Sequence, residues 1–345
     1  MPSEVTSVAY VTPELGFYES VGPDGSLLVV ASGICVEPTD SEGSDTCATL
    51  PGGNSVGDAA GGWAGDGSRF VFHDRLTTAT TFESTVLSLD RETGDIAELI
   101  VGEGLVAMDV AVSADGSDVV VSGSSWTNAS GAFRAGTFAV GPDGALERIS
   151  EVPGENIEWL PDSSGLVVSA RGPDHQGVFI ISPDGGSARL VGPDDILGPP
   201  FLAAVSGDGQ WALVHWQVLV ARDFFPAGVP FYSLLSLDDG DLIPLRPEAD
   251  DAGFVGPVAA AFSPDSDRVA YVYFGGEDRE GPLVLATRRL PNGAEVLLNP
   301  DLFATAGSPP NPDTLLFDGE PHAVWTDDDR LVLRTRSWAM VLELG

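Results

Sequence analysis

The chain has 345 residues, 43% of them hydrophobic, and carries a formal charge of −36 at neutral pH. All 16 of its basic residues are arginine. So acidic a surface repels nucleic acid and anionic lipid, and the absence of lysine removes a Walker A loop, Schiff-base chemistry and the protein-kinase apparatus.

The chain begins "MPSEVTSVAYV". This stretch has neither the basic region nor the apolar run of a signal peptide, and no apolar run approaches the ~18 residues of a membrane-spanning helix. The expectation is an extracytoplasmic protein whose leader has been removed, with a cytoplasmic protein as the alternative. Residues 4–11 read as a strand with no partner nearby.

From residue 22 onward one turn recurs: "GPDGS" at 22–26, "AGDGS" at 64–68, "SADGS" at 113–117, "SGDGQ" at 206–210 and "SPDSD" at 263–267. Anchored on Asp24, Asp66, Asp115, Asp162, Asp208, Asp265 and Asp327, the copies are 42, 49, 47, 46, 57 and 62 residues apart. Periods in this range mark propellers or solenoids. Three residues before each anchor stand Val21, Trp63, Val112, Trp159, Val205, Phe262 and Val324; five after stand Val29, Val71, Val120, Val167, Leu213, Ala270 and Val332. The residues on either side of the second set are also apolar, as in a strand buried on both faces. Aspartate bonds back to the local backbone and glycine accepts positive φ, so each copy reads as strand, tight turn, strand.

A second hairpin follows most copies, at 85–99, 136–149, 177–191, 232–245 and 283–298. Four strands per repeat make a propeller blade. The last copy stops at "SWAMVLELG", one strand short, and the unpaired N-terminal strand is placed to complete it. The expectation is one all-β domain over 1–345, a seven-bladed β-propeller. Six blades plus an irregular one is the alternative, because the second hairpin of the first copy is hard to see.

The copies "AAAFSPDSDRVAYV" (259–272), "VAVSADGSDVVVSG" (110–123) and "VFIISPDGGSARL" (178–190) resemble the TolB-like, WD-repeat-like β-propeller repeat over nearly the whole chain. The resemblance implies the propeller fold and a partner-binding protein of the periplasm or cell surface. It also reaches the propellers of prolyl-oligopeptidase-like enzymes, but the G-x-S-x-G elbow of their hydrolase domain is absent.

Candidate functional residues fall into three groups. His73, Ser122, Ser169, His215 and Arg334 share one register, seven residues after their anchors, and are expected to form a polar ring at one mouth of the channel. The segments joining second to third strands are long. They hold Trp126, Arg171, His175, Arg222, Phe224, Phe225 and Arg279, and arginine beside aromatics suits a binding hot spot. Cys35 and Cys47, the only cysteines, bracket a polar segment and are expected to form a disulfide, which implies an oxidising compartment.

"NAS" at 128–130 matches an N-glycosylation acceptor. "TDDDR" (326–330) and "LDDGD" (237–241) read as solvated turns rather than calcium loops. No metal site and no cofactor are expected.

Two functions are compatible with this pattern. One is a non-enzymatic, monomeric propeller that binds a protein or glycan partner by its long-loop face. The other is a hydrolase or lyase acting on a saccharide at the channel mouth, with His73, His215, Arg334 and carboxylates such as Asp174 or Asp223 as candidates.

Overall fold

The computed structural model describes residues 5–11, 17–30, 34–37, 45–49, 61–77, 82–100, 104–127, 132–171, 174–192, 200–216, 232–245, 259–274, 282–299, 322–326, 329–334 and 339–344. These form seven four-stranded antiparallel sheets. Blade 1 comprises Phe17–Val21, Leu27–Val30, Ile34–Glu37 and Thr46–Ala48. Blade 2 comprises Gly61–Trp63, Arg69–Thr77, Phe82–Asp90 and Ile96–Ile100. Blade 3 comprises Leu105–Val112, Val119–Thr127, Ala132–Val140 and Leu146–Ser150. Blade 4 comprises Gly154–Trp159, Leu166–Arg171, Gln176–Ile181 and Ala188–Val191. Blade 5 comprises Pro200–Val205, Trp211–Trp216, Tyr232–Ser236 and Leu242–Pro244, and blade 6 Ala259–Phe262, Arg268–Phe274, Leu283–Arg289 and Glu295–Asn299. Blade 7 combines His322–Trp325, Arg330–Arg334 and Ala339–Leu344 with the N-terminal strand Val5–Val11.

The N-terminal strand thus closes the ring as expected, with Val5 opposite Leu344 and Val11 opposite Ala339. Blade 1 is complete, which removes the six-blade alternative. Its second hairpin escaped sequence reading because the outermost strand is only three residues long and lies beyond a polar connection.

Packing follows from the double-sided apolar strands. Successive residues point to opposite faces of a sheet, so odd and even positions of one strand serve different neighbours. Phe70 and Phe72 of blade 2 pack on Leu28, Val30, Ile34 and Val36 of blade 1. Val71, between them, packs on Val110, Val112, Val119 and Val121 of blade 3. Seven such clusters join the seven blades, including one between blades 6 and 7 and one between blades 7 and 1. The first strands of neighbouring blades approach one another and line the axis.

The repeated turn has the expected chemistry. Oδ1 of Asp66, Asp115, Asp162 and Asp208 accepts the backbone N–H two residues on, at 2.9–3.0 Å. The following residue has positive φ: Gly67 and Gly116 at 68° and 75°, with Ser163 and Ser266 at 56° and 57° where glycine is replaced. In blade 7 the turn between Trp325 and Leu331 is one residue shorter than that between Val112 and Val119. The last inner-strand position, read from the sequence as Val324, is therefore filled by Trp325.

Arginine staples the blades where lysine would not serve. The planar guanidinium presents several donors in a fixed fork. Arg189 of blade 4 donates to the carbonyls of Leu237 and Asp238 in blade 5 at 2.7 and 3.2 Å. Arg288 of blade 6 donates back to Pro244 of blade 5 at 3.0 Å, and Arg69 of blade 2 bonds Gly116 O of blade 3. Arg330 of blade 7 donates to Asp24 O of blade 1 at 3.2 Å, across the closing seam.

Cys35 and Cys47 stand directly opposite each other on the two outer strands of blade 1 and are disulfide-bonded, as expected. Gly94 of blade 2, at φ +74°, lies against this hairpin: a Cβ there would meet Thr46 Cγ2 at 3.2 Å and Cys47 O at 3.3 Å. The bond therefore holds a short edge strand onto its own blade, where the next blade packs against it. Replacing both cysteines by serine is expected to lower stability by about 2–4 kcal/mol. It would be read as a fall in urea midpoint, with an m-value equal to or slightly above that of the cross-linked chain because the unfolded state is less constrained; an unchanged midpoint would show that the outer strand holds without the bond.

Candidate functional site along the axis

In every described blade the tight turn lies at one end of the inner strand, and the second strand ends at the opposite face. The predicted ring residues sit near that second end, but they are buried rather than lining a solvated rim. His73 is 2%, Ser122 0%, Ser169 1%, His215 5% and Arg334 7% exposed. His73 Nε2 lies 3.2 Å from Met108 O on the inner strand of blade 3. Ser122 Oγ makes the corresponding bond one blade on, to Gly154 O of blade 4. Ser169 Oγ donates to Asn156 Oδ1 within its own blade at 3.2 Å. His215 is held between Phe201 and Tyr232, with ring centroids at 5.2 and 4.9 Å. At least two of the five therefore bind one blade to the next.

The loop-face residues are only partly reached. Trp126 is the penultimate residue of the second strand of blade 3, opposite Phe133, and Arg171 ends the second strand of blade 4, opposite Gln176. His175 is part-exposed and meets the Phe179 ring edge-on at 5.9 Å. Arg222, Phe224, Phe225, Arg279, Asp223 and the "NAS" acceptor lie outside the described residues. Among the described residues no three His, Cys, Asp or Glu converge as a metal-ligand set, and no helix is long and apolar enough to cross a membrane.

Two carboxylates on the axis were not anticipated. Asp109 interrupts the apolar inner strand of blade 3, at an irregularity in its pairing with the second strand. Its Oδ1 accepts from Val110 N and its Oδ2 from Ile157 N of blade 4, both at 2.8 Å. Glu158, the next residue along, accepts from Val205 N of blade 5 through Oε2 at 2.8 Å. An inner strand is a sheet edge whose axis-facing amides lack a strand partner, and these side chains supply the missing acceptors.

Each keeps a fraction of its surface accessible, yet protein surrounds it densely enough to strip most of its hydration. That burial pushes Asp109 up to about 7, against the opposing effect of its two amide bonds. Burial likewise pushes Glu158 up to about 7, and the Asp109 charge adds to the rise. Met108, beside Asp109, is 37% exposed, unusual for so large an apolar side chain. The sequence did hold a signal for Asp109, a lone acidic residue inside the otherwise apolar "LVAMDVAV"; Glu158 sits in the polar strand "GENIEW", where it does not stand out.

No protein-family model matches the sequence, and no curated protein does. Solved structures do. Oligogalacturonate lyase in complex with manganese matches at TM-score 0.61 and 12% identity, over 100% of this chain and 98% of the lyase. The Cps50 (Swd1) β-propeller domain of Myceliophteria thermophila matches at TM-score 0.59 and 11% identity, over 98% and 100%. TolB from Acinetobacter baumannii matches at TM-score 0.47 and 15% identity over 85% of this chain, which spans 63% of that protein. At such identities the likeness is one of fold. Together with seven four-stranded blades closed by the N-terminal strand, it makes the chain a seven-bladed β-propeller.

Proposed function

We propose that the chain is a non-enzymatic, extracytoplasmic propeller that binds a protein or glycan partner through the face carrying its long interstrand segments. The observation that carries this reading is the unlike construction of the two faces. One is made of short turns closed on themselves by aspartate and serine hydrogen bonds. The other carries connections such as 217–231, between Trp216 and Tyr232, which contains Arg222, Phe224 and Phe225. Variable segments on a rigid scaffold are the usual seat of recognition. The disulfide supports an oxidising compartment, and the charge of −36 favours a cationic partner surface.

The test is capture from an envelope extract of the source organism, with the wild-type chain beside an Arg222→Ala/Phe225→Ala bait. The expected result is a partner retained by the first and lost from the second. Equal capture by both baits would remove this segment from the binding face.

A second reading is a lyase or hydrolase acting on a saccharide at the axis. It is favoured by the match to oligogalacturonate lyase over the full length of both chains and by His73, His215 and Arg334 standing in one register. The burial of His215 between two aromatic rings weighs against it, because a catalytic residue must reach substrate. Turnover on a saccharide panel with manganese added, lost in His215→Ala, would reverse the order of the two readings.

A further inference from the structure

The inner strands of blades 3, 4 and 5 are joined in series. Asp109 of blade 3 holds Ile157 of blade 4, and the following residue, Glu158, holds Val205 of blade 5. We propose that Asp109 and Glu158 form a proton-operated latch on the axis, clamped across both seams when ionised and released at the seam between blades 3 and 4 when Asp109 takes up a proton.

The asymmetry follows from the oxygens in use. Asp109 commits both: Oδ1 to Val110 N and Oδ2 to Ile157 N. A proton on either oxygen makes that oxygen a hydroxyl, a much weaker acceptor without the negative charge, so one of the two bonds is weakened far more than the other. Glu158 holds Val205 N with Oε2, so a proton on Oε1 leaves that bond in place, although weakened by loss of charge.

Among the described residues the titratable groups around the pair are few. From blade 2, His73 reaches the carbonyl of Met108 and Asp74 is buried nearby on the same strand, its carboxyl also raised by burial. Blade 4 adds Glu155 on the strand that carries Glu158. Blade 5 presents no ionisable residue on its inner strand Pro200–Val205 and His215 on its second strand. The second strand of blade 3, packed against Asp109, contributes Ser122 and no ionisable residue. No arginine stands on the inner strands of blades 2 to 5. Asp109 therefore answers mainly to burial, and Glu158 to burial and to the Asp109 charge, each raised to about 7.

The test follows the backbone amides of Val110, Ile157 and Val205 in the full chain by proton–nitrogen correlation spectra from about pH 5.5 to about pH 8.5, a window that brackets the raised carboxyls. Charge-assisted hydrogen bonds move amide protons downfield. The expected result is a titration at Val110 or Ile157 with its midpoint near 7, moving upfield on acidification, and a smaller movement at Val205. In Asp109→Asn the titration at Ile157 should vanish. The Val205 midpoint should shift to lower pH, because the neighbouring charge is gone. In Glu158→Gln the Val205 response should vanish and that of Ile157 should remain. Amides that stay fixed in the wild type, or a titration at Ile157 that survives in Asp109→Asn, overturn the latch. Should Asp109→Asn fail to fold, the wild-type titration and the Glu158→Gln spectra decide alone.

Discussion

Removal of residues 1–11 is expected to unfold the ring rather than to trim it. The segment contains the whole fourth strand of blade 7, paired with Ala339–Leu344 from Val11 through to Val5. Its loss deletes a ladder whose backbone bonds contribute about 1 kcal/mol each. It also uncovers a strand whose Met340 and Leu342 are fully buried. The sum, on the order of 5 kcal/mol, is comparable with the whole stability of a typical domain. The strand left behind would be a flat apolar edge, open to pairing with another chain. Urea unfolding and size-exclusion chromatography of the truncated chain should show a large loss of midpoint and higher oligomers. A synthetic peptide covering 4–11, added in trans, should restore much of both. A truncated chain that stays monomeric with an unshifted midpoint would mean that the inner strands alone close the ring.

The fold was legible because it is written several times over. A single "GPDGS" would be one turn among many, but repeated with apolar residues at fixed offsets it specifies strand, turn and double-sided packing together. The closing strand was legible from a deficit: three strands at one end of the chain and one at the other. The second hairpin of blade 1 was not legible, because Thr46–Ala48 is too short to show alternation; the disulfide, not side-chain patterning, fixes its position.

The site was less legible than the fold, for a physical reason. The shared register of His73 and Ser122 is real, but similar side chains serve a solvated rim and a buried inter-blade bond. Only the distance to Met108 O and the bond to Gly154 O separate the two. Asp109 and Glu158 act on amides 48 and 47 residues away. No local pattern reports such a contact, although the oddity of Asp109 within an apolar inner strand could have prompted the question.

The pH dependence of stability should be bell-shaped with its maximum near pH 5, because two sets of carboxylates pull in opposite directions. The turn aspartates Asp66, Asp115, Asp162 and Asp184 are held low by hydrogen bonds from serine hydroxyls and backbone amides, Asp115 down to about 2. Their folded forms favour charge, so the stability they contribute is present above about pH 4 and is lost as the pH falls below it. Asp109 and Glu158 do the reverse. Their folded values, about 7 each, exceed the ordinary 3.8 and 4.5. The folded state therefore binds more protons than the unfolded chain between about pH 4 and pH 7, and stability declines as the pH rises through that window.

A shift of one unit corresponds to about 1.4 kcal/mol. With partial solvent access and mutual interaction taken into account, the two together should lower stability by on the order of 3–5 kcal/mol between about pH 5 and about pH 8. General repulsion within a chain of charge −36 has the same sign, but salt screens surface charge far more than an enclosed pair. Urea midpoints across this range in about 0.5 M salt, a concentration that shortens the screening length to a few ångströms, should therefore keep most of the slope. Asp109→Asn/Glu158→Gln should flatten it and be the more stable protein at the alkaline end. A double variant that retains the wild-type slope would place its origin elsewhere in the ring.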